Sequence, residues 1–345
     1  MFNGIDLSSD TATQPTLAMK EAMLSALLGD EQRKEDPTTA ELETEMAKLL
    51  GQESALFLPS ATMANIMGIN LLCEPGDVLI TADQSHLILA EGGGPAIHSQ
   101  VLIKPIVTPT GIFSGDALEN AYRFDKGPRY PRSRAVSIEN TTNLSGGIAW
   151  SAPQVQSVLD KAKALNLRTH LDGARLFNAA IKIRTSPKTF AQGFDDVTIC
   201  LSKGLGCPVG AILAFKNHYA EKAERLKHLF GGAMRQTGML AAAGLYALEH
   251  HIERLEEDHQ HAALFSDLLS SLPNITVEHH PMSTNMVFFS WAGTHKTSQQ
   301  FHEACMTQGF RFSQVGQNRF RVVFHLGVSE QEVLQVAACL KSMKC

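Results

Sequence analysis

Short β-branched runs alternate with helical patterns through the first two thirds of the chain, and this alternation limits how it can fold more than any other feature. SALFLP (54–59), DVLITAD (77–83), VLIKPIV (101–107), RAVSIEN (134–140), LRTHLD (167–172), DVTICLS (196–202) and GAILAFK (210–216) each read as a strand. Residues 60–73 and 152–165 carry turn and helix patterns between them, and 16–28 and 38–50 precede them as helices, the second with Thr38 or Thr39 as its cap. Buried strands separated by helices predict an α/β fold, a mostly parallel sheet covered by helices on both faces.

The character changes after residue 236. Residues 236–270 keep helical periodicity, as two helices or one bent one; strands at 286–291 and 318–326 and a last helix at 329–342 follow. This predicts a large domain over 1–250 and a smaller C-terminal α+β domain over 251–345, joined by a long helix.

Composition excludes several classes. The 345 residues carry 30 Lys+Arg against 35 Asp+Glu, and 44% are apolar, which is ordinary globular usage. A net charge of −5 argues against a nucleic-acid partner, since phosphate binding needs a basic face. The opening MFNGIDLSSD has no basic start followed by an apolar run, and no apolar stretch is long enough to cross a bilayer, so no membrane association is expected. Cys73, Cys200, Cys207, Cys305, Cys339 and Cys345 show no Cys-x-x-Cys pair and read as free thiols, with Cys345 exposed. A cytoplasmic location follows.

Strand ends of α/β sheets are where functional side chains collect. Asp172 ends THLD, Lys203 follows ICLS in a Gly-rich turn, Asn140 ends SIEN, and His86 lies just past LITADQS. A lysine delivered by a buried strand is suited to a Schiff base, because partial desolvation makes the amine nucleophilic. A carboxylate on a neighbouring strand can pair with a pyridinium nitrogen, the partner that pyridoxal phosphate (PLP) needs. Ser60-Ala61-Thr62, between strand and helix, offers backbone N–H groups to a phosphate. Each residue alone reads as a helix cap, a solvated lysine or a packed histidine; the ordered set points to PLP. No GxGxxG layout, GxxxxGK[ST], HExxH or GxSxG occurs. The histidines at 250, 251, 259 and 261 read as a solvated helix face, and no metal site is expected.

HLDGARLFNAA, CLSKGLGCPVGA and GGAMRQTGMLAAAGLYAL resemble segments of the low-specificity L-threonine aldolases, PLP enzymes of fold type I. The likeness extends in order through IDLSSDTAT, GDEQRKEDPTTAELE, FLPSATMAN, SHLILAEGGG, SIENTTN and VVFHLGVS, nearly the whole chain. It implies that Lys203 holds PLP as the internal aldimine, that Asp172 binds the pyridine nitrogen, and that His86 stacks on the ring. It further implies that Ala61 and Thr62 bind the phosphate, with Arg235 near that phosphate or a subunit interface. Ser9, Arg175 and Arg321 would hold the substrate carboxylate, with Asn140 beside them. The implied assembly is a homo-oligomer, a dimer or tetramer with sites between subunits, acting on a small amino-acid substrate. The implied reaction cleaves L-threonine, L-allo-threonine and related L-β-hydroxy-α-amino acids to glycine and an aldehyde. A β-eliminating lyase and a PLP-binding homologue without catalysis are the alternatives.

The chain departs from that family at Thr142, where members commonly carry a histidine near the substrate hydroxyl. Threonine can hydrogen-bond but is no base near neutral pH. Ser8 stands where the family has arginine, Ala61 where it often has glycine, and Gln32, Arg33 and Lys34 where many relatives have tyrosine and glycine.

Overall fold

Seven strands form the central sheet of this computed structural model, which describes residues 2–124, 127–293 and 297–343; Cys345 lies outside them. After a two-residue strand β1 (Ile5–Asp6), these are β2 (Ser54–Leu58), β3 (Val78–Ala82), β4 (Leu102–Ile106), β5 (Ser133–Glu139), β6 (Arg168–Asp172), β7 (Asp196–Cys200) and β8 (Ala211–Phe215). Their order is β2-β8-β7-β6-β5-β3-β4. The strands from β4 to β7 pair parallel, while β8 runs antiparallel to both β7 and β2. All seven coincide with the predicted runs.

The sheet is buried on both faces. Val136, Ile138, Leu171, Val197 and Ile199 pack into the larger core on one side. On the other, Leu79, Ala135 and Leu213 pack beneath the helix Ala61–Leu72 through Ala64 and Met67. Successive strand residues point to opposite faces, so each strand feeds both cores.

The stretch 236–270 forms two helices, Gly238–His250 and Leu255–Ser270. The second packs by Ala262, Phe265 and Leu269 onto a four-stranded antiparallel sheet. That sheet comprises β9 (Ile275–Glu278), β10 (Met286–Trp291), β12 (Ser313–Gln314) and β13 (Arg319–Val323), with β11 (Phe310–Arg311) just before β12. β1 pairs parallel with β11, and Leu7 joins the core of this smaller sheet, so residues 5–7 lie with the C-terminal part of the chain.

Two expectations need correction. The cap of the helix Pro37–Leu50 is Asp36, whose carboxylate accepts from Thr39 N at 2.9 Å; Pro37 takes the first helical position, where its missing N–H costs nothing. Thr38 and Thr39 turn instead to Leu27 O and the Thr237 hydroxyl. The four histidines expected on a solvated face divide: His250 is exposed and His261 half-buried, as expected there, but the other two are not. His251 and His259 are buried, and His251 Nδ1 hydrogen-bonds to Leu205 O at 2.7 Å. The helix Leu255–Ser270 turns Leu255, Asp258, His259, Ala262, Phe265 and Leu269 inward and leaves Glu256, Glu257, Gln260 and Asp267 to solvent.

Candidate active site

Asp172 is the last residue of β6, and its neighbours in register are Glu139 on β5 and Thr198 on β7. All three side chains leave the same face of the sheet, beneath the helix Ala61–Leu72. Asp172 is 2% exposed. Its Oδ2 accepts from Asn65 Nδ2 at 3.0 Å and its Oδ1 from Ala174 N at 3.1 Å. Both donors are neutral, which leaves the carboxylate without a cationic partner at hydrogen-bond distance among the described residues.

Asn65 links this carboxylate to a second one. The same amide nitrogen donates to Glu91 Oε1 at 2.7 Å, and Glu91 Oε1 also meets His86 Nδ1 at 2.9 Å. His86, Glu91 and Asp172 bring ligand atoms within 4.8 Å of one another. The hydrogen bond to Glu91 holds the His86 imidazole above its ordinary pKa. Burial pushes the Glu139 carboxyl up to about 7, and the neighbouring Asp172 adds to it. Glu139 Oε2 accepts from Asn143 N at 3.1 Å.

Lys203 sits three residues beyond β7, in the loop that turns the chain into antiparallel β8. Gly206, at φ +76°, makes the turn, and its N–H donates to Lys203 O at 2.9 Å. The Lys203 ammonium is half-buried and has no acid within ion-pair distance among the described residues. It contributes to lowering the pKa of Asp10, which places the two in one field.

The two arginines expected to hold a carboxylate differ. Arg175 is buried and gives Nε to Asp10 Oδ2 at 2.6 Å and Nη2 to Asp10 Oδ1 at 2.8 Å. Burial would raise the pKa of Asp10, but Arg175 holds it well below the usual carboxylate range. Arg321, on β13, donates only to neutral acceptors: Nη1 to Asn143 Oδ1 at 2.7 Å and Nη2 to Ser8 O at 3.1 Å, with Nε buried and unpartnered. Burial and the nearby Arg175 push the Arg321 guanidinium down to about 10.

The remaining candidates fall around this centre. Asn140 is fully buried; its Oδ1 accepts from Trp150 N at 3.2 Å and its Nδ2 has no partner. Thr142 is 1% exposed and its hydroxyl accepts from Ile148 N at 3.1 Å. The Ser9 hydroxyl caps a short turn by accepting from Thr11 N at 3.2 Å. Ala61 and Thr62 open the helix Ala61–Leu72, with Ser60 as its cap accepting from Met63 N at 3.2 Å. Arg235 is exposed and pairs with Asp30 at 3.1 Å. Its loop abuts that helix, since a Cβ on Gly232 would come 2.5 Å from the Met63 sulfur. Reading the sequence missed Asn65, Glu91, Glu139 and Asp10. Glu139 stands at a strand end and could have been found there, whereas the others are paired with the site only by packing.

Residues 6–292 match the beta-eliminating lyase family. The chain is 35% identical to low-specificity L-threonine aldolase 1 of Arabidopsis thaliana, covering 99% of this chain and 96% of that one. It is also 35% identical to low specificity L-threonine aldolase of Escherichia coli strain K12, with 97% of each covered. Among solved structures, threonine aldolase of Leishmania major superposes with a TM-score of 0.84 at 17% identity, over 98% of both chains. A structure of SPT with a PLP internal aldimine superposes at 0.73 and 16% identity, over 98% of this chain and 87% of that one. The chain thus belongs to the beta-eliminating lyase family, among the low-specificity L-threonine aldolases, and is a pyridoxal-phosphate-dependent lyase.

Proposed function

We propose that this site cleaves L-threonine, L-allo-threonine and related L-β-hydroxy-α-amino acids to glycine and an aldehyde. The observation that carries the substrate class is Arg321, a guanidinium with only neutral partners and an unpartnered Nε, which suits an α-carboxylate.

The residues present fit the cofactor. Asp172 has neutral donors only, so a ring N–H⁺ would supply its missing cation. Lys203 has no competing acid, and the free N–H groups of Ala61 and Thr62 suit a phosphate. His86, oriented by Glu91, would cover the ring, and Arg235 would lie toward the phosphate or a second subunit. When bound, PLP withdraws electrons from the substrate α-carbon and so weakens its bonds. The chain's own part is to choose the bond. Arg321 would fix the carboxylate, and with Ser9 and Asn140 turn the Cα–Cβ bond across the ring. Thr142 cannot take the hydroxyl proton near neutral pH; His86 and Glu139, both held above their ordinary values, are the groups of the site suited to do so.

Leu17, Leu24 and Leu27 are exposed apolar side chains on and just after the helix Leu17–Leu24, which supports a homo-oligomer covering that face. A cytoplasmic location is part of this proposal; among the described residues no helix is long and apolar enough to cross a membrane.

The test is proton NMR of products from PLP-loaded protein given L-threonine, L-allo-threonine and L-phenylserine. Glycine with the matching aldehyde is expected. A 2-oxo acid would move the assignment to β-elimination, and no turnover would refute it.

A further inference from the structure

One row behind Glu139, Asp172 and Thr198, the same face of the sheet carries Ser137, His170 and Asp196, again in register across β5, β6 and β7. All three are buried, in strands whose opposite face sends Val136, Ile138, Leu171, Val197 and Ile199 into the larger core. His170 and Asp196 are fully buried, and His170 Nδ1 meets Asp196 Oδ1 at 2.5 Å. His170 Nε2 and Asp196 Oδ2 have no partner. The helix Ala61–Leu72 covers both rows: Asn65 binds Asp172, and one turn later Gly68 lies over the pair. A Cβ on Gly68 would come 2.6 Å from Asp196 Oδ1 and 3.0 Å from His170 Nδ1, so bare backbone is what lets the helix close over it.

Stability does not account for this arrangement. A buried ion pair is commonly no better than apolar residues of the same volume, and here each member keeps an unsatisfied atom. His170 stands two residues before Asp172 on one strand, hence on one face.

We infer that His170 and Asp196 are positioning residues for the cofactor, a buried pair that places a positive imidazolium behind Asp172 and thereby sets how firmly Asp172 holds the ring nitrogen of PLP. The inference rests on the cofactor reading above. Burial alone would lower the pKa of His170, but Asp196 outweighs it, so the ring is held above its ordinary value. Burial pushes the Asp196 carboxyl up as well, with Asp195 adding to it, while the 2.5 Å contact with His170 pulls it down. Asp172 and Glu91 also act on His170, and Cys73 and Tyr219 feel the Asp196 charge. Without Asp196 the buried ring would become neutral, and the field it sets up behind Asp172 would change.

The experiment uses full-length protein with PLP as the probe. Asp196→Asn keeps the volume but cannot ionise; His170→Gln keeps a hydrogen-bonding side chain without a titrating ring. Both variants are expected to bind PLP about tenfold more weakly and to move the pH midpoint of the bound cofactor's visible band, in the same direction, by about one unit. Wild-type affinity and midpoint in a folded variant would overturn the inference. Wild-type apo-protein supplies a test that needs no variant: nitrogen-15 spectra of the imidazoles are expected to show His170 protonated on both nitrogens at neutral pH, and a neutral ring would overturn it. If the wild type bound no PLP at all, the cofactor reading itself would fall, and the inference with it.

Discussion

Arg175 is closed on Asp10, with two nitrogens of its fork on the two carboxylate oxygens and both residues buried. The carboxylate clamp implied by sequence therefore has one arm engaged inside the protein and one arm, Arg321, free of acids. The two arginines should respond differently to loss.

Removing Arg175 leaves Asp10 charged, buried and unpaired. Arg175→Ala is expected to destabilise the fold by about 3–5 kcal/mol, read as a fall in the urea midpoint of the apo-protein. An Asp10→Asn, Arg175→Met double variant should recover much of that loss.

Arg321→Ala should leave the urea midpoint nearly unchanged and raise the Michaelis constant. A charged hydrogen bond of about 1.5–3 kcal/mol corresponds to roughly a tenfold to hundredfold loss. Wild-type kinetics in this variant would remove Arg321 from the site.

Lys203→Ala should abolish the visible absorbance that PLP acquires on a lysine and should leave nothing for borohydride to trap. A wild-type spectrum would mean that another amine carries the cofactor.

Thr142 has a place in packing as well as in the family comparison. Its methyl lies where a Cβ on Gly111 would come 2.8 Å away, and its hydroxyl holds Ile148 N. Thr142→His is expected to lower stability by about 1–3 kcal/mol through overpacking and to alter the threo/erythro ratio of substrates cleaved. Thermal melts and product analysis check the two parts separately.

Glu43 adds a pH dependence outside the site. Burial raises its carboxyl from 4.5 to about 7, against the pull of Lys227. The folded state keeps a proton that the unfolded state releases, so stability is greatest below the ordinary value, falls as pH rises between the two, and is level above. Glu43→Gln should flatten that fall in melts of the apo-protein between pH 4.5 and pH 7.

The large sheet was legible in the sequence because each of its strands is an apolar run ended by turn residues, and Asp172 and Lys203 were legible because they follow such runs. β1, β9, β11 and β12 were not, since two to four residues are too few for an alternation to stand out from chance. The helices Leu176–Ile183, Ala220–Leu229 and Ser298–Thr307 also went unmarked. Asn65 and Glu91 lie in helical and loop segments whose patterns say nothing of Asp172. Their roles arise only where the helix Ala61–Leu72 settles on the sheet.

β1 lies against β11, and Ser8 O receives both Arg321 Nη2 and the Ser313 hydroxyl, while two residues further on Asp10 reaches across to Arg175. The segment from Ile5 to Asp10 is thus a short tether between the small sheet and the large one. It fastens the Arg175–Asp10 pair to the sheet that carries Arg321, so the spacing of the two guanidinium groups is set by one stretch of chain.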